Sequence, residues 1–169
     1  MTRDQRLVVA GTVAAILFTT IAAWLLQQLL PVPDAPTTAD RLAYALKWQA
    51  LAAVPLLVMI ATVGNSRFAS EAIDPTLGRE SRRLVVDARS VDNTTQQFLL
   101  FLGGSLALAA NLTAERLPIV GAAAIVFVVA RFAFWIGYRI KPAYRAFGFA
   151  STAYLNLALI AASLWLSLA

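Results

Sequence analysis

Residues 7–30 read LVVAGTVAAILFTTIAAWLLQQLL, a predominantly apolar run that contains no charged side chain. A transmembrane helix needs about 20 such residues to cross a hydrocarbon core of ~30 Å. Residues 42–63, 94–111 and 146–169 form three further runs with almost no charge. A fifth run, residues 117–140, contains Arg131 and Arg139. The pattern predicts five membrane-spanning helices.

The composition of the whole chain agrees with a membrane protein. Of its 169 residues, 60% are hydrophobic and only 14% are charged, and the mean hydropathy is +0.71. Water-soluble domains carry roughly 25% charged residues. Because five spans leave no room for a soluble domain, we predict an all-α integral membrane protein whose chemistry lies in or beside the bilayer.

The residue types that are missing exclude several kinds of site. The chain contains no Cys and no His, which excludes disulfides, thiolate catalysis by the protein, Ser-His-Asp machinery and haem ligation by His. We attribute the net charge of +5 to membrane topology and predict no nucleic-acid partner. We also predict no metal site, because all nine carboxylates fall outside the apolar runs: Asp4, Asp34, Asp40, Glu71, Asp74, Glu80, Asp87, Asp92 and Glu115.

The basic residues indicate the orientation in the membrane. They cluster before the first run and between runs two and three and runs four and five, and the other connections carry few of them. By the positive-inside rule, the N-terminus is cytoplasmic and the C-terminus lies outside. The pattern is compatible with a bacterial inner membrane. The clusters are Arg3 and Arg6; Arg67, Arg79, Arg82, Arg83 and Arg89; and Arg139, Lys141 and Arg145.

The third helix carries the first group of candidate site residues. Arg89, Asn93, Gln96 and Gln97 stand at i, i+4, i+7 and i+8, which places them on one helix face. They form either a ligand-binding surface or, alternatively, an interfacial anchor followed by helix-end amides. The two glutamines enter an apolar run, where unpaired amides are unfavourable, and this favours the first interpretation.

The fourth and fifth helices carry the second group. Arg131, Phe134 and Tyr138 share a face at i, i+3 and i+7, and Arg145 opens the last span. An arginine at the depth of Arg131 either snorkels to the surface, pairs with an anion or faces a wet cavity. Arg145 is either an anchor or a ligand-binding residue.

The two groups are expected to converge at the inner membrane face, where they offer guanidinium, amide and phenol groups but no nucleophile. Such a set suits a small polyanionic ligand whose carboxylates are clamped by Arg. The reactive group must then come from the ligand. Glutathione fits this description, since it has two carboxylates, one amine and a thiol whose pKa of ~8.5 a neighbouring cation lowers.

These residues resemble the MAPEG family, the membrane-associated proteins in eicosanoid and glutathione metabolism. The stretch from Arg89 through Asn93 and Gln96 to Phe101 is similar to the family signature R-x-x-x-N-x-x-E-x-x-x-x-F. Residues 131–148 resemble the second signature, with the spacing of the leukotriene C4 synthase branch: Arg131-x-x-Phe134-x-x-Gly137-Tyr138, then Arg145-x-x-Gly148.

The resemblance implies a four-helix transmembrane bundle in residues 41–169, preceded in residues 1–40 by an additional N-terminal transmembrane helix and its outer connection. It also implies a homotrimer that binds glutathione as co-substrate between protomers, with Arg145 as the catalytic residue that activates the thiol. The substrate-binding residues that it implies are Arg89, Asn93, Gln96, Gln97, Arg131, Phe134 and Tyr138.

Three functions remain open on the sequence. The first is a glutathione-dependent transferase or peroxidase that acts on a small lipophilic electrophile from the membrane lipids. The second is a non-catalytic lipid- or ligand-binding or regulatory protein of the same fold, which is favoured by Gln96 in place of the family's Glu, by Gln97 and by Phe134. The third, a transporter or channel, is disfavoured by the lack of intramembrane carboxylates.

The orientation can be tested directly because the chain has no native Cys. A cysteine engineered at Ala169 should react with a membrane-impermeant maleimide only from outside, and one engineered at Ser81 only from inside. Labelling of the Ala169 position from the cytoplasmic side alone would contradict the orientation.

Overall fold

The computed structural model of the chain describes residues 1–168, which are mostly helical. It confirms the predicted all-α membrane fold. The helices form five rods, because α2 and α3 are two halves of one rod. Their bounds are α1 Arg3–Leu29, α2 Thr38–Ala52, α3 Val54–Phe68, α4 Arg82–Asn111, α5 Pro118–Ile140 and α6 Ala146–Leu168.

Local sequence signals determine where the first rods begin and end. Thr2 caps α1 by accepting from the backbone N–H of Gln5, whose side chain in turn accepts from the backbone of Thr2. Thr37 and Asp40 cap α2 in the same way. The rod is interrupted at Ala53, two residues before Pro55, and a proline has no N–H to continue the hydrogen bonding of the preceding helix.

Successive rods run in opposite directions, so that the basic clusters lie at one end of the bundle, here called the basic end. At this basic end, Asp87 near the start of α4 contacts Arg139 near the end of α5. At the opposite end, Asn111 at the end of α4 donates to Ser167 in the last turn of α6. The basic end therefore contains the start of α1, α4 and α6 and the end of α3 and α5.

Four of the five rods are long and apolar enough to span a membrane, namely Arg3–Leu29, Thr38–Phe68, Ala114–Ile140 and Pro142–Leu168. The rod formed by α4 does not meet that description, although its connections carry it from one end of the bundle to the other. Its polar side chains Thr94, Gln97 and Ser105 are buried against the other helices. Packing against the other helices, rather than apolar composition, therefore explains why α4 lies within the bundle.

The interior combines aromatic packing with a few polar pairs. The rings of Phe101 in α4 and Phe127 in α5 lie 4.7 Å apart between centroids. Gln49 donates to Ser105 at 2.8 Å, which joins α2 to α4. Lipid offers no alternative partners for such groups, so these pairs help to set how the helices are rotated against each other.

The additional helix α1 packs along α5 and α6. Its Gly11 lies against the start of α6, where a Cβ would come within 3.3 Å of the backbone nitrogen of Phe147. Phe18 contacts the Phe147 ring at 5.4 Å between centroids. At the basic end, Lys141 donates to Asp4 at 2.5 Å. These contacts hold the first turns of α1 beside the turn that joins α5 to α6.

The closest helix approach generates a stability prediction. A Cβ on Gly148 of α6 would collide with the backbone of Ala130 and Phe134 in α5, which cannot move aside as a flexible side chain can. Gly148→Ala should therefore lower the free energy of unfolding by about 3 kcal/mol. Reversible unfolding in detergent and SDS, followed by circular dichroism, measures this change.

The matched control is Gly64→Ala in α3, where nothing lies within 4 Å of an added Cβ. This variant should be unchanged or up to about 1 kcal/mol more stable, because alanine favours helix more than glycine. Equal stability of the two variants would contradict the close α5–α6 packing.

Candidate functional site

A cleft of about 1110 Å³ lies at the basic end, between α1, α4, α5 and the start of α6. Five of the eight predicted site residues line it: Arg89, Asn93, Phe134, Tyr138 and Arg145. The structure thus brings together residues from both signatures, which lie on α4, on α5 and in the turn before α6 of one protomer.

The two exposed arginines of the cleft belong to different segments of the chain. Arg145 ends the turn between α5 and α6, and its guanidinium carbon lies 4.7 Å from the centroid of the Tyr138 ring. Arg89 projects from α4. Within residues 1–168, neither arginine has a carboxylate oxygen within 4.0 Å. Both guanidinium groups are therefore available to an anionic ligand.

Arg131 lies behind the cleft and is fully buried, so it does not snorkel to the surface. It donates to Thr152 of α6 and to the side-chain oxygen of Asn93 in α4, each at 3.0 Å. Its guanidinium carbon also lies 4.1 Å from the centroid of the Phe134 ring. The described part of the chain supplies no carboxylate partner for this buried cation.

The contact with Arg131 decides how Asn93 faces the cleft. A guanidinium can only donate, so Asn93 must turn its oxygen toward Arg131. Its amide nitrogen is then left to donate to a group in the cleft that Asn93 lines. Arg131 therefore acts on the cleft through Asn93 and through its positive charge, and it does not line the cleft itself.

The structure does not bring Gln96 and Gln97 into the cleft. Gln97 is buried and accepts from the amide of Asn156 in α6 at 2.9 Å. Gln96 is exposed on the outer side of α4. The single face expected for the four polar residues thus divides, because adjacent positions on a helix point about 100° apart.

Two sets of residues at or beside this site are absent from the sequence-based prediction. The first is the cleft wall formed by α1, which includes Asp4, Gln5, Val8, Val9 and Thr12. No local sequence pattern shows that the residues of a peripheral helix line a cleft formed with other helices. The second is Asp87 with its partners on α5, which the i, i+4 spacing of Trp135 and Arg139 would have indicated as a pair on one helix face.

Asp87 fixes the register of α4 and α5 beside the cleft. It is 1% exposed and accepts from Arg139 at 2.6 and 2.7 Å and from the Trp135 indole at 2.7 Å. Burial by itself raises the pKa of this carboxyl. The hydrogen bonds from Arg139 and Trp135, with the charges of Arg139 and Arg83, outweigh burial and lower the pKa.

The family model of the MAPEG family matches residues 45–165. The chain belongs to the MAPEG family. The matched part of this MAPEG protein begins within α2 and ends within α6, so it contains the predicted site residues and leaves α1 outside.

Among the described residues, no three His, Cys, Asp or Glu side chains lie close enough to hold a metal ion.

Two mammalian proteins are similar to this MAPEG chain. Transmembrane protein 79 of Mus musculus is 26% identical over 165 residues, which is 96% of this chain and 41% of the mouse protein. Transmembrane protein 79 of Bos taurus is 26% identical over 133 residues, or 79% of this chain and 33% of the bovine protein. The chain thus spans less than half of these relatives. No solved structure matches it.

The similarity to the mouse protein reaches beyond the MAPEG match. Because α1 comprises 27 residues, an alignment over 96% of the chain includes most of α1. Membrane-spanning helices and these relatives together identify a multi-pass integral membrane protein.

The buried ion pair generates a prediction with a pH dependence. Asp87→Asn leaves Arg139 without its anion and should lower the free energy of unfolding by about 2–4 kcal/mol at neutral pH. The folded-state pKa of Asp87 is lowered, so this stabilisation is present above the unfolded-state pKa of about 3.9 and is lost as the pH falls through the folded-state pKa. Thermal unfolding in detergent between pH 7 and pH 3 measures the difference.

Asp92→Asn is the control, since it removes an exposed carboxylate from the same helix. It should change stability by less than about 0.5 kcal/mol at any pH. A difference between wild type and Asp87→Asn that does not shrink on acidification would refute the ion-pair explanation.

Proposed function

We propose that this chain is a membrane-embedded glutathione-dependent transferase or peroxidase that activates the glutathione thiol as thiolate against a lipophilic electrophile. The observation that carries the proposal is the cleft with two exposed arginines, Arg89 and Arg145, that have no carboxylate partner among the described residues. Two free guanidinium groups in one cleft match a ligand with two carboxylates or with a carboxylate and a thiolate.

The cleft supports the binding of a tripeptide in size and in hydrogen-bonding groups. Its volume of about 1110 Å³ is at the upper end for sites that take small molecules, roughly 300–1,000 Å³. We assign Arg89 to a ligand carboxylate and the amide nitrogen of Asn93 to an acceptor group of the ligand. Arg131 supports Asn93 from behind by donating to its side-chain oxygen.

Arg145 supports the chemistry because it is a cation fixed in place beside the cleft. Its stacking on Tyr138 limits the movement of the guanidinium. An opposite charge within about 4–6 Å of a thiol lowers its pKa by ~1–3 units. The thiol proton then leaves to solvent at the basic end. The thiolate sulfur forms a bond to the electrophilic atom while the bond from that atom to its leaving group breaks, and the leaving group keeps that electron pair and takes up a proton from solvent. The protein supplies position and charge and no nucleophile of its own.

The apolar rim of the cleft supports a lipophilic second substrate. Val8 and Val9 of α1 and Phe149 and Tyr154 of α6 line the cleft and are exposed. In a bilayer these side chains meet lipid, so an apolar substrate can reach the cleft from the membrane without crossing water.

The outward stripe of α4 supports the homotrimer. Gln96 shares this exposed stripe with Gly103 and Ala107. Small residues let helices approach closely, and a glutamine amide at membrane depth is stabilised by a partner helix. A second copy supplies that helix and brings Gln96 to a subunit boundary.

In this arrangement the basic end faces the cytoplasm of a bacterial inner membrane, and the C-terminus faces outward.

A non-catalytic ligand-binding or regulatory function is the second candidate. It is favoured by the contact between Gln97 and Asn156, which uses the Gln97 amide inside the bundle. It is also favoured by Phe134, whose ring is buried and brings no hydroxyl to the cleft. Such a protein would bind the ligand without activating its thiol.

Thiolate formation separates the two candidates. Mixing the protein with glutathione near neutral pH should produce thiolate absorbance near 240 nm. Arg145→Ala should abolish this absorbance and weaken binding only modestly, whereas Arg89→Ala should weaken binding by about tenfold or more and leave the remaining complex ionised. Ultraviolet difference spectra and calorimetric titration measure the two effects.

Arg82→Ala is the matched control, because Arg82 is an exposed arginine on α4 that does not line the cleft. It should change neither absorbance nor affinity. Binding without thiolate absorbance would favour the non-catalytic function, and no binding of glutathione by wild type would overturn the proposal.

A further inference from the structure

The charges that line the cleft are unequal in number. Among the described side chains that line the cleft, Arg89 and Arg145 are the two cations and Asp4 of α1 is the one carboxylate. Each charge comes from a different part of the chain: α4, the turn before α6, and the first turn of α1. A ligand that complements this set has two anionic groups and one cationic group.

Asp4 is held in the cleft wall by local structure. The Thr2–Gln5 capping box forms the first turn of α1, and the close approach of Gly11 to Phe147 keeps α1 beside α6. Gln5, Val8 and Val9 line the cleft from the following positions. The side chain of Asp4 is therefore presented on a helix that is packed in place.

The present partner of Asp4 is exchangeable. Lys141 donates to its carboxylate at 2.5 Å, but the two side chains are 38% and 59% exposed. Exposed ion pairs of this kind contribute little to stability, typically about 0–1 kcal/mol. A ligand ammonium can therefore replace Lys141 at small cost, and Lys141 can return to solvent because its long side chain is flexible.

We propose that Asp4 binds the free amine of the ligand, so that α1 is part of the binding site and selects for a zwitterion over an anion. This inference rests on the proposed function, because glutathione supplies a carboxylate for Arg89, a thiolate for Arg145 and the amine for Asp4. It assigns to α1 a positioning role in addition to membrane anchoring.

A comparison of two ligands tests the proposal on the full chain in detergent. The probes are glutathione and deaminoglutathione, which lacks the α-amino group and is otherwise identical. Wild type should bind glutathione about three- to tenfold more tightly by calorimetric titration. Asp4→Asn should lose that preference by weakening the binding of glutathione alone.

Lys141→Gln is the control for a merely structural role of Asp4. It breaks the same ion pair but leaves the carboxylate, so it should keep or increase the preference for glutathione. If Asp4 only stabilises the position of α1, both variants should weaken the binding of the two ligands equally. This result would overturn the proposal.

The outcomes also distinguish this proposal from the proposed function. If wild type binds both ligands with the same affinity, the role of Asp4 is wrong and the glutathione site stands. If wild type binds neither ligand, both proposals are overturned.

Discussion

The buried guanidinium of Arg131 is the interaction on which the inner half of the bundle depends. It has no carboxylate partner among the described residues, and it joins three helices by donating to Asn93 of α4 and Thr152 of α6 while stacking on Phe134 of α5. Lipid cannot replace these partners. A rotation of α4 or of α6 would remove one of the two hydrogen bonds of a buried cation, which favours a single register of the three helices.

This register also organises the cleft. Arg131 holds the oxygen of Asn93, which leaves the amide nitrogen of Asn93 as a donor to the cleft. One to two turns toward the basic end, Asp87 holds Arg139 and Trp135 and keeps α4 against α5. Arg145 then stacks on Tyr138, and no carboxylate of residues 1–168 pairs with it. The cleft thus combines the Asn93 amide with two guanidinium groups, a combination that suits an anionic ligand.

The helix α1 lies outside the family match but contributes to the cleft. The MAPEG match begins after it, at residue 45, yet α1 forms one wall of the cleft and carries its carboxylate. A helix added to a bundle ordinarily changes the surface that faces lipid. Here the close approach at Gly11 brings it near enough to α6 to change the chemistry of the site as well.

The sequence by itself determined the helices, the basic end and the signatures, because hydropathy, caps and charge clusters are local properties. The runs predicted at residues 7–30, 117–140 and 146–169 correspond to α1, α5 and α6. Only the tertiary structure decided that Gln97 turns inward to Asn156, that Gln96 turns outward, and that Asp4 enters the cleft. These outcomes depend on which faces of separate helices pack together. That packing is stabilised by pairs such as Arg131 with Asn93, which lie far apart in the chain.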